Sequence, residues 1–112
     1  MKGTNLGEFE ELLLLIVLIL QDEAYVNKIK EEVFDQINRN ASMGALHSTL
    51  SRLEKKTLLD SKLTGSTTER GGRRKRVYQL TGEGKRVLKQ AREQRDMLWN
   101  QVPNYALNFQ NV

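Results

Sequence analysis

The side chains of this chain best suited to specific chemistry are the small, hydroxyl-bearing and basic ones between Ser42 and Lys56. At helical spacing, Leu46, Leu50 and Leu53 form one apolar stripe, which leaves the rest of the segment polar. The polar side carries donors that suit phosphates and base edges, and its small residues permit close approach of the backbone. The pattern predicts a helix lying in the major groove of a duplex, although an ordinary amphipathic surface helix shares it. The predicted contact residues are Ser42, Gly44, Ala45, His47, Ser48, Ser51, Arg52 and Lys55.

A second group of such residues is the basic cluster that follows this helix. Two short segments with strand character, 58–63 and 76–80, flank a glycine-containing turn, which predicts a hairpin. A basic cluster in a turn is often only a solvated loop. Because this one follows a candidate recognition helix, it predicts a phosphate-binding wing. Its residues are Arg70, Arg73, Arg74, Lys75 and Arg76.

The charges along the chain are segregated. Residues 1–51 hold 4 basic and 8 acidic side chains, whereas residues 52–95 hold 14 and 5. Evenly spread solubilising charge would not separate in this way, so a localised positive surface is expected to face a polyanion. The predicted partner is double-stranded DNA.

Composition argues against several other classes. The chain has no cysteine and one histidine, so we expect no metal, no cofactor and no catalytic constellation of nucleophile and base, and hence no enzyme. The apolar run 12–20 is half of what a membrane span needs, and acidic residues precede it where a signal peptide would be basic. We therefore expect a soluble, cytoplasmic protein without membrane contact.

Hydrophobic periodicity predicts the order of elements. Helices are expected over 5–21, 24–38 and 42–56, followed by the hairpin and a long helix over 82–102 that Pro103 stops. Asp22 or Glu23 is expected to cap the second helix, Ser42 the third and Thr81 the last. The predicted fold is mainly α, an α+β winged helix with a three-helix helix-turn-helix core, a two-stranded wing and a long C-terminal dimerisation helix. The expected division is a DNA-binding domain over 1–81, the dimerisation helix over 82–103 and a tail over 104–112.

The first and last helices are expected to mediate dimerisation. The first is apolar nearly all round, so it is enclosed either by its own core or by a second subunit. The last is longer than a small winged domain needs, and part of it has coiled-coil spacing. The predicted interface residues are Leu6, Phe9, Leu13, Ile16, Val87, Ala91, Leu98 and Val102.

Over about residues 6–100, the chain resembles the PadR family of bacterial winged-helix transcriptional regulators, in its short form with one C-terminal helix. The resemblance implies a homodimer that binds an inverted repeat near a promoter, usually as a repressor released by a small aromatic or cationic molecule. It rests on Tyr25, Gly44-Ala45-Leu46, Leu50-x-Arg52-Leu53-Glu54, Gly71-Gly72-Arg73-Arg74-Lys75, Tyr78-x-Leu80-Thr81 and Gly84.

Three positions depart from the family pattern. His47 replaces the usual tyrosine, Thr57 a helix-ending glycine, and Ala24 the glycine before Tyr25. Thr57 puts the end of the third helix in question, because a β-branched residue disfavours the left-handed conformation. For His47 three roles stay open, namely a base or phosphate contact, a packing residue and a pH sensor.

The resemblance also places an effector site where the first and last helices meet. Trp99 could stack on an aromatic ligand together with Phe9, and Asp96 could balance a cationic one. Alternatively, Trp99 only packs against the dimer or the tail. A further alternative for the whole protein is a dimeric adaptor whose winged helix binds protein or RNA.

Overall fold

The computed structural model describes residues 6–64 and 74–108, which form four α-helices and a two-stranded antiparallel sheet. This confirms the predicted winged-helix fold. The elements are α1 (Glu8–Leu20), α2 (Val26–Ile37), α3 (Met43–Lys55), β1 (Leu59–Leu63), β2 (Arg76–Leu80) and α4 (Gly82–Trp99), with short 3-10 turns at Gln21–Glu23 and Asn104–Leu107. None of the helices in these ranges combines the length and apolar character needed to cross a bilayer.

Helix α1 runs through the centre of the hydrophobic core. Leu13 and Leu14 are wholly buried, as are Leu46, Leu50 and Leu53 of the stripe predicted for α3. The all-round apolar character of α1 is thus largely explained by its own subunit. Leu15 and Ile19, one turn apart, remain 43% and 55% exposed and form a single outward stripe on this helix.

Helix α2 differs from the prediction at both ends. Its N-cap is Tyr25, whereas the predicted caps Asp22 and Glu23 lie in the preceding 3-10 turn. At the other end, Ile37 is half exposed, because the helix ends there and Asn38 turns the chain with a φ of 56°. Asparagine adopts this left-handed conformation more readily than most residues.

Helix α3 ends with Thr57 in the left-handed conformation, at a φ of 63°. Leu58 N–H donates to Leu53 O (3.0 Å) and Thr57 N–H donates to Glu54 O (2.9 Å). These two bonds make a Schellman motif, which is normally completed by glycine. The helix therefore ends where the family pattern places its end, and Thr57 adopts a backbone conformation that is unfavourable for a β-branched residue.

The two strands form the base of the wing and connect to the start of α2. The register pairs Leu59 with Leu80 and Leu63 with Arg76. Tyr25 forms an isolated bridge with Val77, which is buried together with Tyr78, so both faces of the strand are partly covered. The bridge fixes the beginning of α2 beside the wing.

Helix α4 is held to the corner between α3 and β1. Thr81 caps it as predicted, since its Oγ1 accepts from Gly84 N–H (2.9 Å) and donates to Thr57 O (2.7 Å). Gly84 lies so close to this corner that an added Cβ would be 2.1 Å from Leu58 O. The helix ends at Trp99, before the Pro103 that was predicted to stop it.

The first half of α4 completes the core instead of standing apart from it. Val87 and Leu88 belong to the same buried cluster as α1, and Ala91 is 6% exposed. The predicted dimer contacts Leu13, Ile16, Val87 and Ala91 are thus buried within their own subunit. Their contact with a partner stays a prediction. The division of the chain at residue 81 stays a prediction.

Candidate nucleic-acid interface

The polar face of α3 lies on the surface of the subunit. Ser42 caps the helix by accepting from Ala45 N–H (3.1 Å), as predicted, so its hydroxyl already has a backbone partner. Gly44 has open space beyond it, with no heavy atom within 4 Å of a Cβ built there. A smooth surface of this kind can be laid closely against a duplex. All eight predicted contact residues are exposed, namely Ser42, Gly44, Ala45, His47, Ser48, Ser51, Arg52 and Lys55.

The described cations of the wing are exposed and individually positioned. Lys75 Nζ lies 4.1 Å from the ring centroid of Tyr25, and Arg76 Nη1 donates to Ser61 Oγ (3.0 Å). Arg74 Nε donates to Thr64 O (3.1 Å). Each keeps further donors that these contacts do not use. The other two predicted wing residues, Arg70 and Arg73, lie outside the described residues.

A cleft of 280 Å³ separates the exposed face of α3 from the wing. His47 lines it from α3 and Asn27 from the first turn of α2. Arg74, Lys75 and Arg76 line it from the wing, so three of the predicted wing cations converge with a predicted recognition-helix residue. Donors arranged around a concave surface suit the phosphate oxygens of a duplex backbone.

Arg52 was predicted to reach base edges, but the structure shows it bound within the subunit. Its Nε donates to Glu10 Oε2 (2.9 Å), and Lys56 Nζ donates to both oxygens of the same carboxylate (2.9 and 3.0 Å). Half of the Arg52 side chain remains exposed. In this conformation Arg52 and Lys56 attach α3 to α1, and part of the guanidinium is unavailable to DNA.

Glu10 is a residue whose role the sequence did not reveal. It is 5% exposed, in the first turn of α1. Burial would raise the pKa of its carboxyl, but hydrogen bonds from Gly7 N–H, Lys56 and Arg52 outweigh burial and hold that pKa below its usual value. The sequence contained one signal, an acidic residue next to a long apolar run. Its partners lie 42 and 46 residues away, so no local pattern identifies them.

The neighbouring acidic residues of α1 bind two other parts of the chain. Glu11 Oε1 accepts from Arg95 Nη2 of α4 (2.9 Å), and Glu8 Oε2 accepts from Arg39 Nη1 (2.7 Å), in the connector between α2 and α3. The acidic character of the N-terminal segment is thus partly used in joining α1 to its neighbours.

The predicted effector residues do not all lie together. Trp99 and Asp96 line a groove of 550 Å³ between α1 and α4, together with Leu15. Phe9 is not among the residues lining this groove, and its ring faces Arg39, whose Cζ lies 4.7 Å from the ring centroid. A joint site of Phe9 and Trp99 is therefore not formed within one subunit, and such a site between two subunits stays a prediction.

The remaining predicted interface residues lie at the surface or its edge. Leu6 and Phe9 are partly buried against the core, whereas Leu98 is 60% exposed and Val102 is also exposed. Trp99 and Met97 are exposed beside them. One stripe on α1 and the last turns of α4 thus offer apolar surface to a partner subunit. Other exposed apolar side chains of the described residues include Phe34, Ile37, Tyr105 and Leu107.

Solved structures of similar fold come from several bacteria. A PadR-like transcription factor from Bacteroides fragilis is 28% identical, with a TM-score of 0.64 over 80% of this chain and 84% of that one. A PadR family transcription regulator from Clostridium difficile is 29% identical, with a TM-score of 0.65 over 82% and 92%. A PadR-like regulator from Bacillus cereus, 21% identical with a TM-score of 0.67 over 87% and 92%, shares the fold.

Comparison at the level of sequence families agrees with these structures. No curated protein matches the chain. The family described as the transcriptional regulator PadR-like family matches residues 14–90, which include α2, α3, the wing and the first half of α4. It is a family of regulators and not of enzymes. The chain belongs to the PadR-like family of transcriptional regulators.

Proposed function

We propose that this protein is a homodimeric, sequence-specific DNA-binding repressor that binds an inverted repeat. The observation that carries the proposal is the cleft between α3 and the wing, where an exposed face of small and polar residues adjoins Arg74, Lys75 and Arg76. Helix α3 would enter the major groove, and the wing cations would bind the flanking backbone.

The support for a dimer is the exposed apolar surface between α1 and α4. Leu15 and Ile19 of α1 and Leu98 and Trp99 of α4 are each at least 43% exposed. Apolar residues clustered on two adjacent helices favour burial against another surface. A second copy of the same surface would produce two-fold symmetry, and two α3 helices related by that symmetry match an inverted repeat.

The groove between α1 and α4 supports release of the DNA by a small molecule. Its indole and leucine side chains would contact a planar aromatic compound. Its charged lining has four basic and two acidic side chains. Arg95 pairs with Glu11 and Arg92 with Asp96 (3.7 Å), so the basic excess comes from Lys85 and Lys89. Of the two ligand types expected from sequence, an aromatic ligand that also carries an acidic group fits this groove better than a cationic one.

The direct test is a footprint of the protein on the region upstream of its own gene, because small regulators of this kind often control themselves. We expect a protected segment with two-fold symmetric sequence. Binding should survive competitor DNA and weaken steeply with salt. If no genomic fragment is protected, the proposal is wrong and the adaptor alternative is favoured.

Two variants that each remove one positive charge test which surface binds DNA. Arg74→Ala removes a cation from the cleft, whereas Arg86→Ala removes one from α4, where it pairs with Glu83 (2.6 Å). The first should weaken binding to specific and random duplexes alike and lower the salt slope by about one. The second should change neither. Equal effects of both variants would refute the placement of the duplex.

A further inference from the structure

The cleft between α3 and the wing contains the only histidine of the chain. His47 is exposed on α3 and therefore is not a packing residue of the core. Every charged side chain that lines the described part of this cleft is basic, namely Arg74, Lys75 and Arg76. Among those lining residues, the imidazole has several cations and no carboxylate beside it.

The other titratable groups around the cleft do not change this charge balance near neutral pH. Tyr25 and Tyr78 line it from the start of α2 and from β2, and burial raises the pKa of the Tyr78 hydroxyl, so that phenol stays neutral. On α3 itself, Glu54 lies two turns beyond His47, and its Oε2 accepts from Ser61 Oγ (2.5 Å). From α2, Lys30 donates to Asn40 and Ala41 in the connector.

The carboxylate of Glu10, which contacts α3 from α1, is already hydrogen-bonded. Glu10 accepts from Arg52 and Lys56, which lie beyond His47 toward the C-terminal end of α3. The negative charge that the cleft lacks would be supplied by a duplex. The phosphates of a duplex against these cations would lower the local positive potential. An imidazolium there also has two N–H donors where the neutral ring has one.

We infer that His47 is a proton-linked phosphate contact, whose imidazole takes up one proton from solvent when a duplex occupies the cleft, so that DNA affinity rises as the pH falls. The inference rests on the proposed function. It identifies His47 as a contact to the DNA backbone and as the residue through which the cleft between α3 and the wing responds to pH. Histidine is the side chain that ordinarily changes charge between pH 5 and 8, whereas the arginines, lysines and phosphates of the interface do not.

The expected effect follows from linkage. If the bound imidazole holds its proton about ten times more tightly than the free one, the dissociation constant should be about fivefold lower at pH 6 than at pH 8. The probes are a duplex from the protein's own upstream region and a random duplex of equal length. Both should show the same pH dependence, because a phosphate contact is independent of sequence.

Two substitutions of His47 imitate the neutral and the charged imidazole separately. His47→Gln removes the titrating group and should bind with the weaker affinity at both pH values. His47→Lys carries a permanent charge and should bind with the tighter affinity at both. Fluorescence anisotropy at constant ionic strength gives the DNA affinity of the parent protein and of both variants. Because His47→Gln keeps the α-amino group of the chain, it controls for any pH dependence that this group causes. A fivefold ratio that persists in His47→Gln would overturn the inference.

A second measurement follows the imidazole directly. Because the chain has one histidine, its ring signals in a proton NMR titration belong to His47 alone. The midpoint of that titration should move to higher pH when either duplex is added. An unmoved midpoint with tightly bound duplex refutes the inference and leaves the proposed function intact. Failure of both duplexes to bind at any pH refutes the proposed function, and the inference with it.

Discussion

Substituting Gly84 by alanine tests whether the close contact between α4 and the α3–β1 corner determines stability. A Cβ at this position would lie 2.1 Å from Leu58 O and 3.1 Å from Leu58 C. Ordinary carbon-to-oxygen contacts are about 3.3 Å or longer, so α4 and the corner would have to separate by roughly 1 Å. The obstacle is backbone, which cannot rotate away as a flexible side chain would.

The loss in the free energy of unfolding can be estimated from the contacts that this separation would strain. Overpacking of a tight contact costs about 1 to 3 kcal/mol. Leu58 O also accepts from Thr81 N–H (3.1 Å), and weakening that bond would add about 1 kcal/mol. Alanine recovers about 1 kcal/mol of helix propensity over glycine. The net expected loss is about 2 kcal/mol.

Gly82→Ala is the matched control, because no heavy atom lies within 4 Å of a Cβ built at Gly82. Urea unfolding, followed by circular dichroism at one protein concentration, should show a midpoint about 1 M lower for Gly84→Ala. Gly82→Ala should match or slightly exceed the parent protein. A Gly84→Ala protein as stable as Gly82→Ala would refute the close packing described for this corner.

Three further predictions follow from other contacts. The pKa of Glu10 is lowered in the folded state, so its stabilising effect is complete above the ordinary glutamate value of about 4.3 and is lost as pH falls through the folded value. Glu10→Gln should therefore cost about 1 to 2 kcal/mol at neutral pH and flatten the acid side of a stability profile measured by urea unfolding, whereas an unchanged profile would contradict the ion-pair role. Thr57→Gly should raise the free energy of unfolding by about 0.5 to 1 kcal/mol by relieving the φ of 63°, and Asn38→Gly should gain less. A loss of stability in Thr57→Gly would show that the hydrogen bond from Thr57 Oγ1 to Lys56 O (2.5 Å) outweighs the strain. Leu98→Asp should sediment as a folded monomer because Leu98 is exposed within the subunit, while Leu63→Asp on β1 should remain dimeric; a dimeric Leu98→Asp would refute the proposed interface.

The sequence alone predicted the order of the helices and strands. The leucine stripe of α3 has a clear helical phase, and Ser42 and Thr81 cap their helices as their local chemistry predicts. The exposure of the predicted α3 face follows from the same stripe, because burying one side of a helix leaves the other in solvent. Local periodicity and capping depend on residues three or four positions apart, and these are readable from sequence.

Tertiary structure alone decided which charged groups are bound within the subunit. Arg52 could be placed on a polar helix face from sequence, but its contact with Glu10 joins residues 42 positions apart. No spacing rule predicts such a pair, because it depends on how α1 crosses α3. The pattern of α1 marked one face, which includes Leu13, but apolar residues also cover its flanks. Only packing against the other helices determined that Leu14 on these flanks is buried while Leu15 and Ile19 face outward.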